Sequence, residues 1–130
     1  MYLTFTNEAK QRLARYVDDS KKMLMDYDDG VGPFSAIGNC SLVDNFKLIF
    51  VDKDRNFKDF DAHFDSNLGP IYYKGYTKPQ FDEQMAVRFN PNVFTMPLTT
   101  PKGTLTDDIE VVDLSNGNYE STTMNQTHDC

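Results

Sequence analysis

The sequence predicts a mainly β single domain with one N-terminal helix, and three observations carry that prediction. Ala9, Leu13, Tyr16 and Val17 recur at helical spacing, while Lys10, Arg12 and Arg15 face away from them. After Lys22 the period changes, and apolar residues alternate with polar ones in short runs bounded by Gly, Pro and Asp. The chain has 130 residues and is 39% apolar, with ten Phe and seven Tyr, which suits one domain with a modest core.

Met1 to Phe5 alternates as a short strand. Thr6 then offers a side-chain cap and Glu8 an acidic first turn, so a helix is expected from Asn7 to about Asp18. Met23, Met25 and Tyr27 alternate with Leu24, Asp26 and Asp28, and turn chemistry follows at Asp29-Gly30 and Gly32-Pro33. Phe46, Leu48 and Phe50 alternate with Lys47, Ile49 and Val51, and Phe60, Ala62 and Phe64 alternate with Asp61, His63 and Asp65. Gly69-Pro70 marks a reversal. Further strands are expected at Ile71 to Lys74, Met85 to Phe89, Phe94 to Pro97 and Ile109 to Val112, with a helical turn beginning near Pro79. In such strands Tyr72 and Tyr73 face opposite sides, one entering the core and the other staying partly exposed. From Leu114 onward Ser, Thr, Asn and acidic residues dominate, so residues 1–113 are read as the folded domain and 114–130 as a disordered polar tail.

Composition removes several classes of function. A net charge of -7 provides no cationic surface for phosphates, so nucleic acid is not an expected partner. The longest apolar runs, such as Leu48-Ile49-Phe50-Val51, fall far short of the roughly 20 residues that cross a bilayer. No basic segment leads into an apolar one at Met1-Tyr2-Leu3-Thr4-Phe5, so the expected location is cytoplasmic, where Cys40 and Cys130 would both stay thiols. Asp26-Tyr27-Asp28-Asp29-Gly30 lacks the alternating aspartates and closing glutamate of an EF-hand loop and reads as a strand end and turn. His63 reads as a solvent-side histidine, and His128 and Asp129 beside Cys130 as a solvated terminus. No His, Ser or Lys falls into a catalytic constellation, so the chain is not expected to be an enzyme.

Five segments together resemble a known family. Leu3-Thr4-Phe5-Thr6 ahead of the Ala9 and Leu13 helix, Gly38-Asn39-Cys40-Ser41, Phe46 to Val51, Asp65-Ser66, and Phe89-Asn90-Pro91-Asn92-Val93 are similar, in that order, to the HesB-like or IscA-like A-type carriers of iron–sulfur cluster biogenesis. Within that family Asp26 to Ser35 and Ser66 to Tyr72 resemble a subgroup of small bacterial proteins. The resemblance covers about residues 1–113. It implies a barrel-like or sandwich-like fold of mixed strands with a helix alongside, iron or an iron–sulfur cluster as the bound species, and assembly or recipient proteins as partners. It also implies a metal ligand at Cys40, because the family places its first cysteine there. The family's later Cys-Gly-Cys has no counterpart, since Phe94 to Gly103 contains neither cysteine nor histidine.

A lone thiolate cannot complete a two-iron site, which takes four cysteine ligands. A homodimer would bring two copies each of Cys40 and Cys130 within reach of one another, the thiolate count that such a site needs. Without the resemblance, Cys40 reads as a small buried apolar residue. The alternative function is accordingly a ligand- or protein-binding module that kept the fold and lost cluster chemistry, with no cofactor at all.

Overall fold

In the computed structural model, residues 1–27 and 46–115 are described. Among these residues nine strands form one sheet in the order β8-β7-β6-β1-β4-β5-β2-β3-β9, curled into an open half-barrel. The strands are β1 (Tyr2–Phe5), β2 (Lys21–Tyr27), β3 (Phe46–Asp52), β4 (Ala62–Ser66), β5 (Ile71–Tyr73), β6 (Gln84–Val87), β7 (Leu98–Thr100), β8 (Gly103–Thr106) and β9 (Glu110–Asp113). The expected mainly β domain with one N-terminal helix is therefore present, and β8 and β9 are the two edges at which the curl stays open.

Helix α1 (Asn7–Leu13) starts where the sequence places it, with Thr6 Oγ1 accepting the Ala9 N–H at 3.3 Å. It ends earlier than the expected Asp18. Past Leu13 the Ala14 N–H bonds to Gln11 O and the Tyr16 N–H to Leu13 O, the tighter spacing of a fraying turn. Asp18 and Asp19 would also place negative charge at the negative end of a longer helix.

The inner, concave face holds the main core. Ala9 and Leu13 of α1 pack there against Leu3, Phe5, Met25, Leu48, Phe50 and Val87. Tyr16 completes the seam by stacking on Phe50, ring centroids 5.4 Å apart. The reverse face of β2 and β3 has its own apolar cluster of Leu24, Ile49, Val51, Phe60 and Leu114. Leu114 and Ser115, which composition assigns to the tail, are both fully buried, and the Leu114 N–H donates to Phe50 O. The remainder of the tail, from residue 116, lies outside the described residues.

Several local expectations change. Phe60 precedes β4 instead of opening it, because the Phe60 N–H turns back to Phe57 O and the ring joins the reverse-face cluster. The strand expected at Phe94 to Pro97 is a loop, with Phe94 at φ 55 and Thr95 making only an isolated bridge to Asn90. The pairing that would have gone there belongs instead to β7 and β8, a hairpin turning at Pro101-Lys102 with Gly103 at φ 144. Tyr73 is buried and Tyr72 half-buried, His63 is exposed, and the helical turn near Pro79 is a 3-10 segment, Gly75–Gln80.

Candidate functional site

Two parts of the fold gather chemistry-bearing residues. The first is the stem of the β2–β3 connection. Tyr27 and Phe46 are cross-strand partners at the last rung of the described ladder. On the inner face that rung is walled by rings: Phe46 meets Tyr27 at 5.2 Å and Phe81 at 5.7 Å, and Phe81 also meets Tyr73 at 5.3 Å and Phe64 at 5.8 Å. Edge and tilted contacts of this kind add to the burial of the rings themselves.

On the reverse face the neighbouring rung carries charge. Asp26 pairs in register with Lys47, Lys47 with Glu110, and Lys74 lies 2.9 Å from Asp26, so acid and base alternate across β5, β2, β3 and β9. Lys47 and Lys74 are fully buried and Asp26 nearly so. The row continues the apolar rung of Tyr72, Leu24, Ile49 and Val112 one step along the strands. Sequence reading groups Asp26 with Leu24 and Lys47 with Ile49 and Val51, each on one side of an alternating strand. The missed signal is that the charges on neighbouring strands are complementary in register.

The second part is the loop Asn90-Pro91-Asn92-Val93-Phe94-Thr95 beside α1. Asn90 and Thr95 close it with paired backbone bonds of 2.8 and 3.3 Å, and Asn90 Oδ1 accepts the Asn92 N–H at 3.0 Å. This tight closure drives Phe94 into the left-handed region at φ 55 and leaves its ring 70% exposed. The Arg12 guanidinium lies 4.8 Å from the Phe89 ring centroid and 5.8 Å from that of Phe94. Alongside α1 runs a groove of about 420 Å³ lined by Gln11, Arg12, Leu13, Arg15, Tyr16, Met96 and Val111, so Arg12 borders both the groove and the loop's aromatic rings.

Another turn ties the sheet's middle together. The side-chain amide of Asn67 accepts the Phe5 N–H at 2.9 Å and donates to Phe5 O at 3.0 Å, standing in for a strand partner where β1 outruns β4. Ser66, part of the sequence resemblance, places its Oγ on Gly69 O and receives the Leu68 N–H, which shapes the turn around Gly69 at φ 114.

Cys40, Cys130, His128 and Asp129 lie outside the described residues. Among the described residues no three His, Cys, Asp or Glu side chains come together as a metal site. The stretch in which the resembling family carries Cys-Gly-Cys is the Phe94 loop and the run into β7, and its side chains offer neither thiolate nor imidazole. It does not fit a cluster. Among the described residues no helix is long and apolar enough to cross a membrane.

Comparison with known proteins agrees with this architecture. A Lactobacillus salivarius protein named for Fe–S biosynthesis and described as having a novel fold is 37% identical, with a TM-score of 0.80, covering 89% of this chain and 100% of its own. A Lactobacillus acidophilus protein named likewise shares the fold at 19% identity and a TM-score of 0.71, covering 96% of each chain. No curated protein matches the chain. The sequence model for iron–sulphur cluster biosynthesis matches residues 1–113, taking in both the β2–β3 stem and the Phe94 loop, and the chain belongs to that family.

Proposed function

We propose that this chain serves iron–sulfur cluster assembly as a non-enzymatic binding protein, holding iron or a cluster as cargo through Cys40 with the remaining ligands supplied by another chain. The supporting observation is one of ligand supply. Family membership covers residues 1–113, yet Cys40 is the only cysteine in that span. Thiolate is the donor iron–sulfur chemistry favours, so Cys40 is the residue through which the family's cargo would be contacted. A second copy of the chain, or an assembly or recipient protein in the cytoplasm, would complete the coordination.

Anaerobic reconstitution of the wild type, Cys40→Ser, Cys130→Ser and the double variant with iron and sulfide tests the reading. Visible absorbance, bound iron and light scattering are the readouts. Loss with Cys40→Ser alone supports a site completed from outside, while loss with either change supports a dimeric site that also uses Cys130. Equal and negligible iron in all four proteins refutes the carrier reading. That result would favour the second reading, a binding module that kept the fold without the metal, which the cysteine-free stretch Phe94 to Gly103 already supports.

A further inference from the structure

We infer that the Arg12–Phe94 surface is a docking site for a protein segment that presents carboxylates around an apolar side chain. The inference is independent of whether Cys40 holds iron. It begins with the cost of the loop. A phenylalanine at φ 55 is in a conformation that glycine or asparagine adopts readily and bulky residues avoid. Burial does not compensate for it, because Phe94 is 70% and its neighbour Val93 62% exposed. The fold thus places two large apolar side chains in water at a position where glycine would close the same loop with less strain.

The cations beside them are available. Glu8 lies one helical turn before Arg12, at the spacing of a helix ion pair, yet the two form none, and Arg12 turns instead over Phe89 and Phe94. Arg15 donates to its neighbour Tyr16 Oη at 2.7 Å and lies 4.8 Å from that ring's centroid. Neither arginine pairs with a carboxylate among the described residues. The carboxylate of Asp108 is engaged elsewhere, its Oδ1 accepting the Met96 N–H at 2.9 Å. The site therefore offers planar guanidinium donors held on aromatic faces, an exposed apolar knob at Phe94 and a groove that Arg12 and Arg15 also line. Arginine and aromatic side chains in this combination dominate the binding energy of protein interfaces.

Charge selects the occupant. On a chain of net charge -7 a polyphosphate strand or an anionic bilayer is repelled over most of the surface, so a short local contact is favoured over a broad one. A carboxylate-bearing segment matches the guanidinium fork, and one apolar side chain can enter the groove against Met96 and Val111.

The test titrates isotope-labelled full-length protein with three capped peptides, in which one leucine and one phenylalanine are set among glutamates, among glutamines or among lysines, and follows backbone amide NMR shifts. Shifts confined to residues 11–16 and 89–96, produced by the glutamate peptide and weakened at least about tenfold by Arg12→Gln and by Phe94→Gly, are the expected result. Phe94→Gly is informative because glycine accepts the loop conformation, so its melting temperature should stay at or above that of the wild type. The inference is overturned by equal binding of the glutamine or lysine peptide, by shifts centred elsewhere, or by no shift up to millimolar glutamate peptide. It is also overturned if the same amides shift with protein concentration alone, which would make a second copy of the chain the occupant.

Discussion

Two of the places where the chain sets a cation beside an aromatic ring, Lys74 at Tyr76 and Arg12 at Phe89 and Phe94, are opposite in their energetics. At the β2–β3 stem Lys74 is fully buried, 2.9 Å from Asp26 and 5.8 Å from the centroid of the Tyr76 ring. At the Asn90–Thr95 loop Arg12 is exposed and lies over Phe89 and Phe94 with no carboxylate against it. Removing an ion from water costs several kcal/mol, so the buried row persists only while its members compensate one another. The exposed arginine has given up little hydration and can still exchange it for a partner. The contrast indicates that the interior row fixes the geometry of the stem, whereas the surface pair is left available for recognition.

The largest expected effect breaks the interior half of this comparison. Asp26→Ala leaves Lys74 buried without its carboxylate and should cost about 3–5 kcal/mol, measured by urea unfolding. Adding Lys74→Met should recover much of that loss, since an apolar replacement of both partners restores a compensated interior. A double variant no more stable than Asp26→Ala alone would show that the row is not a unit.

Next is the reverse-face cluster on which the row rests. Truncation after Asp113 removes the fully buried Leu114 and should destabilise by about 2–4 kcal/mol, whereas truncation after Ser115 retains it. Equal stability of the two truncations would return Leu114 to the tail. Asn67→Ala should cost about 2 kcal/mol by leaving both Phe5 backbone groups without their side-chain partner.

At the surface the sign reverses: Phe94→Gly should change stability by no more than about 1 kcal/mol and in the stabilising direction, as released loop strain offsets lost ring contacts. The smallest effect is in acid. Partial burial raises the Asp113 pKa, but the hydrogen bonds from the Ser115 hydroxyl and N–H and the charge of Lys21 outweigh it, and the carboxyl ends below its usual range. A depressed folded-state pKa gives stability that is present above the unfolded value of about 4 and is lost as pH falls through the folded one. Because Asp113 is only half-buried and still meets solvent, Ser115→Ala should flatten the acid limb of the stability profile only slightly, as followed by chemical denaturation at successive pH values.

How legible these features were depends on whether the determining interaction is local. The alternation of Met23 to Tyr27 and Phe46 to Val51 is a property of each segment, and both strands form as the period predicts. The cap at Thr6 is equally local. The charge row was illegible because it exists only after β5, β2, β3 and β9 are placed side by side in a particular register. Leu114 was read with the tail because polar residues follow it, and its burial depends on Phe57 and Phe60, far away in sequence. The β7–β8 hairpin had a signal in Thr99-Thr100-Pro101-Lys102-Gly103, where threonines flank a turn ending in glycine. The Phe94 to Pro97 run competed with it because its apolar residues alternate as a strand's do, and the closure of Asn90 on Thr95 overrode that local preference.

The place of β1 in the sheet has a kinetic consequence. The first strand of the chain lies between β4 and β6, parallel to both, so it joins the β6–β7–β8 half of the sheet to the half that runs from β4 to β9. The hairpin pairs β4–β5 and β7–β8 can form from nearby residues, but Leu3 and Phe5 acquire both flanking strands only after the chain has extended through Val87. Such late, distant closure carries a large loop entropy and sets mixed β topologies on the slow side of single-domain folding, in about milliseconds to seconds. During synthesis the segment containing Leu3, Phe5 and the apolar side of α1 therefore emerges long before its partners, and the interval before β6 follows is when this chain is most exposed to misassembly.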